Sequence, residues 1–144
     1  MAILRCPFHV YSPGEPPRPM LPVRITNPAT GLYLDAWALI DTGADDCALP
    51  AAAAARLGHR LTAGRRKRIG TGNGTTWAYT HTTCIEIHSL PSASRRSTLA
   101  FTIPATPIDF LPRLDCILLG VNSFLSRFVL KIDYPKRCFS IRTP

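Results

Sequence analysis

Ala38-Leu39-Ile40-Asp41-Thr42-Gly43-Ala44-Asp45-Asp46-Cys47-Ala48-Leu49-Pro50 places one acid directly behind three apolar residues and follows it with two small ones. An aspartate at the end of an apolar run is costly to bury unless its surroundings hydrogen-bond it or share a proton with it. Thr42 and Gly43 can supply such surroundings. The Thr42 hydroxyl can bond to backbone across a close contact, and Gly43 lets the chain turn tightly enough for its N–H to point at the carboxylate. Taken alone, Asp-Thr-Gly fits a plain turn or a helix cap equally well, so the acid gains meaning only from its setting.

Upstream of the acid, residues 21–26 (LPVRIT) alternate apolar and polar, NPATG supplies turn residues, and residues 31–40 (GLYLDAWALI) alternate again up to Asp41. That pattern predicts a β-hairpin that delivers the acid. Downstream, Ala51 to Ala55, Leu57 and a stopping Gly58 predict one short helix. The run Arg65-Arg66-Lys67-Arg68 reads as a solvated loop. Residues 68–90 then surround Gly70, Gly72 and Gly74 with β-branched and aromatic residues, which predicts a long hairpin with a flexible tip. PSASRRS is a polar turn, and TLAFTIPAT is strand-like before a stretch punctuated by Pro104, Pro107 and Pro112. Another strand is expected at DCILLG, a short helix near Ser123 to Arg127, and a closing pair FVLKI and CFSI about the turn DYPK. The whole is an all-β pattern with minor helix and no internal repeat.

With 144 residues the chain can bury one core but not two ordinary domains. Residues 1–20, rich in proline, are expected as an extended arm and residues 21–144 as the folded domain. No apolar run approaches the roughly 20 residues of a spanning helix, and prolines, His9 and Glu15 break up the N-terminal stretch, so neither a membrane span nor a secretory signal is expected. The expected compartment is the cytoplasm. Five cysteines, an odd number without a CxxC pair, argue against a disulfide framework and a zinc site. His9, His59, His81 and His88 are scattered rather than set at metal spacing, so no metal is expected. No serine or cysteine stands in a recognisable nucleophile context. The net charge of +8 raises nucleic-acid binding as a third-ranked reading, but no aromatic-interleaved or helix-borne basic stripe supports it.

The acid motif acquires a partner further on, in Ile117-Leu118-Leu119-Gly120. Asp41-Thr42-Gly43-Ala44 preceded by ALI, that second motif with the short helix after it, and the glycine-rich Gly70-Thr71-Gly72-Asn73-Gly74 between them resemble the retropepsin family in order and spacing. That family comprises the retroviral-type aspartic proteases and their cellular and bacterial relatives. The ending VLKIDYPKRCFSI resembles the closing hairpin of the cellular and bacterial branch, so the likeness spans roughly residues 21 to 144. It implies a closed, barrel-like all-β subunit with one or two short helices and a flap hairpin. It also implies a homodimeric endopeptidase in which Asp41, Thr42 and Gly43 are catalytic, while Ala44, Asp45, Gly72, Asn73 and Gly74 meet the substrate.

An aspartic peptidase needs two carboxylates sharing a proton, one acting as base toward a water and the other as acid toward the carbonyl. One Asp-Thr-Gly per chain implies that a twofold axis supplies the second, and no cofactor is needed. Two departures matter. Val121 stands where retroviral members carry an arginine, so Asp45 lacks that ion pair and must find another partner, with Arg5, Arg18 or Arg24 as candidates, or face substrate. Ala44 offers no hydroxyl toward the carboxylates, which predicts a mildly acidic to near-neutral optimum. The hairpin has an ordinary glycine turn as its rival reading, and the enzyme has a catalytically weak peptide-binding or dimerisation module.

Overall fold

In the computed structural model, which describes residues 1–144, alternating apolar and polar residues take up strand geometry. Ten strands result: β1 (Ala2–Pro7), β2 (Met20–Thr26), β3 (Tyr33–Ile40), β4 (Ala48–Pro50), β5 (Arg65–Thr71), β6 (Gly74–His88), β7 (Leu99–Leu111), β8 (Ile117–Leu119), β9 (Val129–Asp133) and β10 (Cys138–Arg142). One short helix, α1 (Ala53–Arg56), begins within the polyalanine run, and Gly58 leaves it at φ +75°, the left-handed conformation that glycine adopts without a Cβ penalty. Leu61–Ala63 and Leu125–Arg127 are single 3-10 turns.

The main sheet runs β2-β3-β8-β4-β7-β6 and closes on itself where β2 pairs with β6, from Val23 opposite Ile87 to Thr26 opposite Cys84. The result is a closed six-stranded, all-β barrel, as expected. Its centre is made by the inward residues of each alternation, among them Leu21, Ile25, Leu49, Ile85, Ile87, Phe110 and Leu119, all fully buried. Closure leaves a six-stranded barrel no free edge of its own. β8 is inserted between β3, to which it runs parallel, and β4, to which it runs antiparallel. This insertion carries Gly120 back beside the loop that leaves β3.

Four features differ from, or add to, the sequence expectation. Arg65 to Arg68, expected as a loop, form the first half of β5, because β6 offers them an unbroken antiparallel ladder and Trp77 lies opposite Arg68. β7 continues through Pro104 and Pro107 instead of breaking there. Its register with β6 shifts between Thr83 and Ile85, and Pro104 falls in that irregularity, where a missing N–H costs least. The helix expected at Ser123 to Arg127 shrinks to the 3-10 turn, since Phe124 sits outside helical geometry at φ −137° with its ring fully buried and no side chain caps the turn. The proline-rich stretch begins with a paired strand. β1 is an edge of a separate three-stranded sheet, β1-β10-β9, and buries Ile3 and Cys6.

Candidate active site

Asp41 occupies the first position beyond β3, half-buried, at the point where the hairpin of β2 and β3 hands the chain to a loop. The Gly43 N–H donates to Asp41 Oδ1 at 2.9 Å, the contact that the small residue after the acid allows. The loop itself is fastened to β8 and the residues after it by backbone bonds. Asp41 N–H donates to Leu119 O at 3.2 Å, Val121 N–H to Ala44 O at 2.9 Å and Asn122 N–H to Asp45 O at 2.7 Å. Gly120 makes this approach possible: a Cβ there would collide with the Asp46 backbone and lie 2.8 Å from Ala44 O. The second motif is therefore the seat on which the acid loop rests.

The other residues expected at the site fall into two groups. Thr42, Gly43, Ala44 and Asp45 share the acid loop, whereas Gly72, Asn73 and Gly74 form the tip of the hairpin of β5 and β6. No hydrogen bond joins the two groups within one chain. At the tip Gly74 has φ +109°, and Thr71 Oγ1 donates to Gly74 O at 3.1 Å, which closes the turn. Thr42 is exposed, and its hydroxyl has no hydrogen-bond partner within the chain. None of the three arginines suggested for Asp45 reaches it. Arg24 is held by both oxygens of Asp35, at 2.8 and 2.9 Å, Arg18 lies 4.0 Å from Glu15, and Arg5 makes no salt bridge. Asp45 exposes its carboxylate, while the neighbouring Asp46 accepts from Ser123 Oγ at 3.3 Å.

Cys47, six residues after the acid, is no competing nucleophile: burial pushes its thiol up to about 11, so it stays protonated at neutral pH. No group of three or more His, Cys, Asp or Glu side chains stands close enough to hold a metal ion. Two concave surfaces, about 370 Å³ beside Arg24, Asp35 and Trp37 and about 450 Å³ beside Asn27, His59 and His81, lie elsewhere, and neither includes Asp41.

Sequence reasoning missed Asp109. This buried carboxylate accepts from Thr80 Oγ1 at 2.9 Å and pairs with Lys67 Nζ at 2.8 Å, so one side chain of β7 ties both strands of the hairpin to the barrel. An acid between Ile108 and Phe110, both apolar and buried, is the signal that could have revealed it.

Residues 21–122 match the family described as aspartyl protease, and the chain belongs to it. Its fold is retropepsin-like. It is similar to the crystal structure of a retropepsin-like aspartic protease from Rickettsia conorii at 23% identity and a TM-score of 0.54, over 84% of this chain and 88% of that one. It is also similar to EIAV protease complexed with the inhibitor HBY-793 at 25% identity and a TM-score of 0.42, over 82% and 93% of the two chains. No curated protein matches it.

Proposed function

We propose that the chain is one subunit of a homodimeric aspartic endopeptidase, with Asp41 and its symmetry copy as the paired carboxylates. The observation that carries this reading is the interlocked loop, in which the acid is held by Gly43 N–H and its loop is seated on Gly120, while the chain carries Asp-Thr-Gly only once and so offers one such acid per subunit. An isologous contact supplies the missing group at no cost in new sequence. Two such carboxylates close together share one proton and titrate as a pair, a logic for which the aspartic-protease dyad is the standard example. The ionised member draws a proton from a bound water as it attacks the peptide carbon, and the protonated member donates to the carbonyl oxygen. The free Thr42 hydroxyl is then available to backbone of the second subunit. Gly72, Asn73 and Gly74 bring the hairpin down over an extended peptide, whose backbone pairs with it as an added strand. No cofactor takes part.

Five unpaired cysteines accord with a reducing, cytoplasmic setting. The test is cleavage of a diverse peptide library from about pH 3 to 8, a span chosen to bracket carboxylate and histidine titration, by the wild type and by Asp41→Asn. Cleavage that the variant loses, and that a transition-state-mimicking inhibitor blocks, supports the reading. A folded dimer that binds peptides but cuts none favours the catalytically weak binding module instead.

A further inference from the structure

Lys67 and Thr80 both bond to the buried Asp109, and Ala78, opposite Lys67, is fully buried, so these side chains occupy the face of the β5–β6 hairpin turned to the barrel. Strand alternation puts Arg66, Arg68 and Trp77 on the other face, which looks outward, and all three are exposed. The Arg66 guanidinium stands 4.2 Å from the centre of the Trp77 ring and that of Arg68 5.8 Å. Arg68 Nη2 donates to Thr75 Oγ1 at 3.2 Å, and neither arginine takes part in a salt bridge. Trp77 keeps 43% of its surface exposed despite these neighbours.

In sequence the basic run stands apart from any aromatic residue, but the register of β5 on β6 brings Trp77 into its midst. Cations without acidic partners, set round an aromatic ring on an exposed face, suit a polyanion that also carries flat rings. Phosphates pair with the guanidinium groups, and a base stacks on the indole or on a guanidinium plane. Bases of a duplex are already stacked on one another, so the fit is to a single strand. An acidic protein segment makes no use of the ring. An anionic membrane fits less well, because the tip Thr71-Gly72-Asn73-Gly74-Thr75 has no apolar side chain to insert. We propose that Arg66, Arg68 and Trp77 form a binding surface for single-stranded nucleic acid on the outward face of the hairpin, with the chain's net charge of +8 drawing the strand in. This surface does not depend on the peptidase reading.

The experiment titrates a fluorescent single-stranded oligonucleotide of about 16 nucleotides, the upper end of a compact single-strand site, with the full-length protein. Anisotropy is read from about 50 to 200 mM salt, and tryptophan emission is followed with an unlabelled strand. Binding is expected to weaken steeply with salt and to quench emission in a way that Trp77→Phe abolishes. Replacing both Arg66→Gln and Arg68→Gln is expected to weaken binding about tenfold or more and to make the salt slope shallower by roughly 1.4, from about 0.7 for each phosphate contact. Trp77→Ala is expected to weaken binding about tenfold with the salt slope unchanged. Absence of binding at low salt overturns the proposal, as does binding that the double arginine variant retains in full. Binding that leaves Trp77 unquenched and is unaffected by Trp77→Ala also overturns it. So does a duplex of the same sequence, poly-glutamate of equal charge or a phosphatidylserine vesicle that competes as tightly as the strand itself, since the face then answers to charge alone.

Discussion

The acid loop and the β5–β6 hairpin are held by different means. The loop carrying Asp41 is gripped along its own backbone by Leu119, Val121 and Asn122, and packs so closely on Gly120 that no side chain fits between them. The hairpin beyond Tyr79 has only its own two-stranded ladder and the anchor at Asp109, because β7 pairs no further than Phe110 opposite Tyr79. In the proposed peptidase the acid, whose geometry would have to hold within fractions of an ångström, sits on the over-determined segment. The hairpin proposed to close over the substrate is the weakly held one.

Gly120→Ala should break this comparison most severely. Its Cβ has no space between the two segments, so we expect a loss of about 3 kcal/mol or more, or failure to fold, in denaturant melts. Asp109→Ala should sharpen the contrast. It removes the one acceptor shared by Thr80 and Lys67 and is expected to cost about 1–3 kcal/mol. Native-state hydrogen exchange should then quicken in residues 66–78 while the amides of Asp41, Val121 and Asn122 keep their protection; equal acceleration in both regions would show that the hairpin is not separately anchored. Ala44→Ser tests the loop from inside. In the proposed dimer a hydroxyl there can bond to the ionised dyad, so the acidic limb of the pH–rate profile should move to lower pH with little change in melting temperature.

The smallest expected effect concerns the base of the hairpin, where His59 stacks on His81 with ring centres 4.5 Å apart and contacts Phe110, Asn27 and Thr83. Burial, and then the like charge of His81, hold the His59 imidazole below its ordinary range. The unfolded chain therefore takes up the proton first. Stability from this site is complete above the usual histidine value of about 6.5 and declines as the pH falls through it. Melting temperatures measured from about pH 7.5 down to 5 should fall, with a shallower slope in His59→Gln.

Local patterns were legible because the physics behind them is local. Alternation in residues 21–26 and 31–40 marks the hairpin that presents Asp41, and the glycines at 70, 72 and 74 mark the projecting turn. Gly120 was legible only as part of a motif; its reason, the absence of space for a Cβ beside Asp46, depends on a crossover between segments far apart in sequence. The pairing of β1 with β10 is similarly non-local, since nothing in Ala2–Pro7 names Cys138–Arg142 as its partner. Arg65 to Arg68 misled for a different reason: charge density usually signals a loop, but a neighbouring strand and an aromatic ring outweigh that tendency. The location of Asp41 and of the hairpin tip could be read from sequence, whereas Asp109 required the register of three strands.

The same four cations have a further effect when the barrel is viewed as one protein among many copies. β5 is the outermost strand of the main sheet, so one row of its backbone N–H and C=O groups has no neighbour. An open row of that kind is a template on which another chain can add itself, and crowded like charges are a common deterrent. Arg65, Arg66, Lys67 and Arg68 keep the same edge of other copies, which carries the same cations, at a distance by mutual repulsion, so the projecting hairpin is also guarded against self-aggregation.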